Sequence, residues 1–248
     1  MSESPSKHQD GPLFNGSWSP VSTSGLIDLT IPLDAEGVAA CLGPPAKIAA
    51  HPTLAVAVRK ATEAAIRSIR ARAVYLVAPT SQAPHPTGGP NGEAWSKIPW
   101  TAMFAATIGP NVEQAALAAA DAGRLVEAMA LDAAGSAASL ALTDGVVHHL
   151  ITDAALAAAG LAPTLLAFPG DEGFPFEEQL TIVHALPPAA LADIGLTCLP
   201  SGALLPEKSV AGVIGLTAAG RPDPVQAQNL GKHNCSQCPV RARCTFRR

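Results

Sequence analysis

Residues 168–179 read Phe-Pro-Gly-Asp-Glu-Gly-Phe-Pro-Phe-Glu-Glu-Gln, and the fold is decided by what stands on either side of this stretch. Gly170, Gly173, Pro169, Pro175 and three phenylalanines flank a helix start there. A rigid turn of this composition exposes backbone N–H groups able to grip a carboxylate or a flat ligand. Before it, residues 164–168 have the apolar character of a short strand. After it, residues 176–185 have the spacing of a helix.

Working outward, residues 210–216 form a final strand candidate, and residues 103–108 another that ends in the turn Gly109-Pro110-Asn111. Two Ala-rich helices are expected between them, at 112–120 and 123–159, the second broken near Gly135 or Gly145. Their small residues let the helices approach closely. Residues 73–77 read as a buried strand. From residue 53 to 72, Leu54, Val56, Val58, Ala61, Ala65, Ile66 and Ile69 fit one helical face, with Arg59, Lys60, Arg67 and Arg70 mostly opposite. Leu26, Asp28, Ile31 and Leu33 lie in a strand-like stretch. Asp34 then caps a short helix ending near Gly43, stopped by Pro44 and Pro45. Residues 79–99, rich in Pro, Gly and Ser, read as a long loop. Strands interspersed with helices indicate an α+β or mixed α/β domain, without internal repeats.

The 248 residues are 48% hydrophobic but only 4% aromatic, so the core must be built from Ala, Leu, Val and Ile. Mean hydropathy of +0.24 raises the membrane question, yet charged residues interrupt the Ala-rich segments, and no run approaching the roughly 20 residues of a span is expected. Residues 1–24, rich in Ser, Pro and Gly and lacking an apolar signal core, are expected to be a disordered lead. A cytoplasmic location with reduced cysteines follows. The net charge is −4, which argues against nucleic acid as the principal partner. The usual phosphate-binding and nucleophile motifs are absent, and His148-His149 lacks the HExxH spacing, so these histidines read as structural or surface residues.

The last 14 residues, CSQCPVRARCTFRR, carry Cys235, Cys238 and Cys244 at C-x2-C-x5-C spacing. Two thiolates separated by two residues reach one metal from a single turn, and the third closes another face. Cys198 is the first choice for a fourth ligand, with Cys41, His233 or water behind it. Five Lys or Arg and no acid stand between Lys232 and Arg248, which would offset thiolate and sulfide charge. A [4Fe-4S] cluster is the favoured occupant of this segment, residues 231–248, with zinc as the alternative.

The order TIGP at 107–110, LDAAGSAA at 131–138, PGDEGFPFEEQ at 169–179, IGL at 194–196, LPEKSVAGVIGL at 205–216 and the terminal cysteines resembles a known family. It is similar to free-standing relatives of the activation domain of cobalamin-dependent methionine synthase, well over residues 100–248 and loosely over 25–100. The resemblance implies a C-shaped, helmet-like α+β domain over 25–230, with a mixed or antiparallel sheet and Ala-rich helices. It also implies S-adenosylmethionine as the candidate methyl donor and a cobalamin carried by a partner, either a corrinoid protein or a methionine synthase module.

By the same resemblance Pro169, Gly170, Phe174, Pro175 and Gln179 fall on the turn lining the family's ligand groove, with Asp171 and Gly173 between them. Lys208 and Ser209 fall on a strand entry, and Asp132 on a Leu-Asp pair. Two positions depart from the pattern: Asp171 stands where the family has a Tyr, and no Arg stands just ahead of the turn. The implied function is reductive activation of a corrinoid protein in methyl transfer, with the electron delivered through the C-terminal cluster. A non-catalytic corrinoid-protein-binding module with structural zinc is the first alternative. The second is a nucleic-acid-processing protein stapled by an iron centre.

Overall fold

The computed structural model describes residues 24–218. The expected N-terminal lead and the cysteine segment with Cys235, Cys238, Cys244 and His233 lie outside the described residues. Five strands, β1 (Ser24–Asp28), β2 (Arg72–Pro79), β3 (Trp100–Thr107), β4 (Leu161–Ala167) and a long C-terminal strand (Ser209–Ala218), form one sheet. With β5 (Thr197–Cys198) and β6 (Leu204–Leu205) pairing as a separate short hairpin, that long strand is β7. The sheet order is β1-β2-β3-β7-β4, and every neighbouring pair is antiparallel. The domain is therefore α+β with an antiparallel sheet, one of the two arrangements the sequence left open.

Strand β3 explains why the sheet is so apolar. Its Ala102, Phe104 and Ala106 enter one core while Met103 and Ala105 enter another, all five at most 2% exposed. A strand covered on both faces reads as a continuous apolar run rather than an alternation. The first face is covered by α1 (Ala35–Leu42), α2 (Pro45–Ala49), α3 (Pro52–Ser68), α5 (Asn111–Asp121) and α6 (Leu125–Thr152). The other is covered by α8 (Glu178–Ala185) and α9 (Pro188–Ile194), together with Trp95 at the end of α4 (Gly89–Trp95). A short α7 (Ala154–Ala158) links α6 to β4.

Several expected boundaries move, each for a local reason. Asp34 does cap α1, accepting from the Gly37 N–H at 2.7 Å. Helix α3 stops at Ser68 rather than near residue 72, because Ile69 turns extended and the Arg70 N–H donates to the Ile108 carbonyl at 2.9 Å. Residues 79–99 are not a plain loop. They contain a 3-10 turn (Thr80–Gln82) and α4, anchored by Trp95 at 2% exposure.

Helix α6 runs unbroken through Gly135 and Gly145. A Cβ on Gly135 would lie 3.3 Å from the Lys208 stem, and one on Gly145 would lie 3.5 Å from Leu29, so both glycines serve close approach. This helix is long and apolar enough to cross a membrane, which corrects the expectation that no segment approaches such a length. Here it is a core helix. Leu142, Val146 and Leu150 lie on one face and are at most 1% exposed, each contributing roughly 1.5–3 kcal/mol of burial.

Where α6 ends, Asp153 caps α7 through the Ala155 and Leu156 N–H groups at 2.8 and 3.0 Å. Tyr75 of β2, only 4% exposed, donates to the same carboxylate at 2.8 Å, and the His149 Nε2 stands 3.7 Å from it. His149 is thus a packing residue, its ring centroid 5.7 Å from that of Tyr75. Burial opposes ionisation of Asp153, but bonds from the Leu156 N–H, the Tyr75 hydroxyl and the Ala155 N–H outweigh it and hold the carboxyl below its ordinary value. Tyr75→Phe is expected to lower stability by about 1–3 kcal/mol in urea unfolding at pH 7. Because the folded carboxyl titrates below the unfolded one, the stabilisation is complete above the ordinary carboxylate range and fades as pH falls through the folded value. The gap between wild type and Tyr75→Phe should therefore narrow in acid.

Candidate functional site

The turn at 168–176 is built from its own backbone. The Gly170 N–H donates to the Phe174 carbonyl at 2.8 Å, the Phe174 N–H to the Asp171 carbonyl at 2.9 Å, and the Asp171 N–H to the Phe168 carbonyl at 2.9 Å. The Asp171 carboxylate accepts from the Phe168 N–H at 2.7 Å. Four of the donors that the sequence reading expected to face a ligand, the N–H groups of Phe168, Gly170, Asp171 and Phe174, are therefore spent within the turn. Phe174, only 1% exposed, pins the turn to the second core. The loop before α4 is stitched to the turn by the Thr87 N–H on the Gly173 carbonyl, 2.9 Å, and α4 itself by Asn91 Nδ2 on the Glu172 carbonyl, 3.3 Å.

Two concavities flank this turn. An open depression of about 510 Å³ is formed by Gly170, Asp171, Gly173, Phe174, Pro175 and Phe176 against Thr87 and Gly88. A more enclosed cleft of about 360 Å³ runs between α6, the start of the turn and the entry to β7. Phe168 forms one wall, with its ring edge-on to Phe104 at 6.5 Å, and Leu204, Val210 and Ala211 line the apolar side. Ser139, Thr143, Ser209, Gln179 and Glu207 supply the polar atoms. The enclosed cleft, with one aromatic wall and a few convergent polar groups, has the character of a small-molecule site.

Lys208 and Asp132 meet beside the cleft. The Lys208 Nζ lies 2.7 Å from Asp132 Oδ1 and 3.0 Å from the Ser136 hydroxyl, so this ammonium is ion-paired and hydrogen-bonded. The Lys208 side chain is 17% exposed and that of Asp132 is 62% exposed. Ser209 donates to the Pro206 carbonyl at 2.6 Å and bonds Thr107 Oγ1 at 2.9 Å, fixing the start of β7. Gln179 donates Nε2 to the Gly202 carbonyl, tying α8 to the β5–β6 hairpin. The candidate residues from sequence thus divide in two. Gln179 and Ser209 line the cleft, with Asp132 and Lys208 beside it, whereas Gly170, Asp171, Gly173, Phe174 and Pro175 border the open depression.

The two upstream cysteines stand on opposite faces of the sheet, Cys41 against the first core and Cys198 against the second. Burial pushes the Cys41 thiol up, partly countered by Lys208, and burial alone pushes the Cys198 thiol up. Cys198 Sγ lies 3.5 Å from the Gly202 carbonyl. Among the described residues no three His, Cys, Asp or Glu side chains gather to hold a metal.

Sequence reading missed Ser139, Thr143 and Glu207 as cleft residues. The signal was present: Ser136, Ser139 and Thr143 recur at helical spacing along an otherwise Ala-rich helix, a polar stripe on one face.

An antiparallel sheet with helices on both faces and a cleft at the entry to its long C-terminal strand defines the domain as α+β. The crystal structure of the MetH reactivation domain bound to AdoHcy has this fold, with a TM-score of 0.52 and 14% sequence identity over 82% of this chain and 81% of that one. No protein-family model matches the sequence, and no curated protein matches it.

Proposed function

We propose that this protein binds an adenosyl ligand in the cleft between α6 and β7 and serves the reductive activation of a separate corrinoid protein, with the C-terminal cysteines holding a [4Fe-4S] cluster. The observation that carries this reading is the cleft itself, found on a fold whose structural neighbour is bound to AdoHcy. A volume of about 360 Å³ suits the adenosyl part of such a ligand. Phe168, Leu204, Val210 and Ala211 offer a flat apolar wall for a purine, and the hydroxyls of Ser139, Thr143 and Ser209 suit ribose oxygens.

S-adenosylmethionine would supply an activated methyl group, and a cluster would supply single electrons. What the chain itself contributes is placement. The engaged Lys208 and the bonded Ser209 fix the β7 entry, and the self-bonded turn holds Phe168 at the cleft wall. Cys198 is the proposed fourth ligand beside Cys235, Cys238 and Cys244. Since Cys41 lies across the sheet from Cys198, a single cluster would draw on one of them and not both.

The cluster is tested by anaerobic purification of the full chain with iron, sulfide and zinc quantified. About four irons and four sulfides per chain are expected, falling by more than half in Cys198→Ala and unchanged in Cys41→Ala. A colourless protein carrying zinc would replace the electron-delivery role with that of a corrinoid-protein-binding module.

A further inference from the structure

We propose that the cleft selects a cationic adenosyl ligand lacking a carboxylate, and that Glu207 is the residue that makes the choice. This rests on the reading that the cleft binds an adenosyl ligand at all.

Glu207 is the one charged side chain lining the cleft among the described residues. A second acid stands beside it, since Glu113 Oε2 accepts from the Glu207 N–H at 3.1 Å. The ammonium beside the cleft is already paired, and part of the turn's backbone donors are already used. The Lys208 ammonium is taken by Asp132 and Ser136. The N–H groups of Phe168, Gly170, Asp171 and Phe174 are taken inside the turn, one of them by the carboxylate of Asp171. Helix α8, which begins beside Gln179, carries Glu178 in its first turn, so the positive end of its dipole is already offset.

A ligand carboxylate entering this cleft would lose hydration and meet an acid with no cation to receive it. A sulfonium or an ammonium would meet Glu207 favourably. The arrangement therefore favours an adenosyl sulfonium whose side chain ends in an amine over one that ends in an amino acid. Phe168 and the cleft hydroxyls would serve both equally, leaving the charged tail as the point of discrimination.

Calorimetric titration of the full chain at low ionic strength tests this, with S-adenosylmethionine, its decarboxylated form and S-adenosylhomocysteine as probes. The decarboxylated form is expected to bind at least about tenfold tighter than S-adenosylmethionine, and S-adenosylhomocysteine, which lacks the sulfonium charge, weakest. In Glu207→Gln the preference should shrink to within about threefold. S-adenosylmethionine binding as tightly as its decarboxylated form would overturn the inference while leaving the cleft reading intact. An undiminished preference in Glu207→Gln would remove Glu207 from the role. Binding of none of the three would overturn both readings.

Discussion

Gly173→Ala is expected to destabilise the domain by about 2–5 kcal/mol, the largest effect of any single methyl in the turn. Gly173 has φ 76°, a left-handed conformation that costs a side-chain-bearing residue roughly 1–2 kcal/mol. A Cβ there would also stand 2.0 Å from the Gly88 carbonyl oxygen and 2.5 Å from its carbon. Those neighbours are backbone, so no rotamer change relieves the clash, and the loop carrying Thr87 must move away. The bond from the Thr87 N–H to the Gly173 carbonyl would be lost with it. Gly123 provides the control, because it shares the conformation at φ 72° but has nothing within 4 Å of an added Cβ. Gly123→Ala should therefore show the backbone penalty alone, about 1–2 kcal/mol. Urea unfolding of both variants measures the difference, and equal losses would mean that the Gly88–Gly173 contact is not made.

Ser139→Trp is expected to abolish adenosyl-ligand binding, by at least about 100-fold, while the thermal midpoint stays within a few degrees of wild type. Ser139 lies on the partly exposed face of α6 that forms one wall of the cleft, so an indole there fills the cavity rather than entering the core. His148→Trp places the same group at an exposed position of the same helix, away from the cleft lining. It should leave affinity unchanged. Equal losses in both variants, or in neither, would place the ligand elsewhere.

How much of this was legible in the sequence depends on whether the cause was local. Asp34 capping α1, the proline stop after Gly43 and the apolar runs of β3 and β7 are local signals, and the structure follows them. The order of weak motifs from Thr107 to Leu216 pointed to the right fold although each motif alone decides little. What failed to show was set at a distance. Helix α4 hides in a Pro- and Gly-rich stretch because a single tryptophan, Trp95, anchors it to the second core. Gly135 and Gly145 look like helix breakers until Lys208 and Leu29 are brought against them by the fold. The turn at 168–176 promised free donors because its composition does not reveal that Asp171 bonds back to Phe168. The polar stripe on α6 was visible but carried no meaning until Phe168 and the β7 entry closed a cleft over it.

The measurement that tests the account most directly is calorimetric titration of S-adenosylmethionine into the full chain, repeated with Ser139→Trp. One-to-one saturable binding, displaced by the decarboxylated form and lost in Ser139→Trp, is the predicted result. Absence of binding of both S-adenosylmethionine and its decarboxylated form by the wild-type chain, or binding undiminished in Ser139→Trp, would contradict an adenosyl site between α6 and β7.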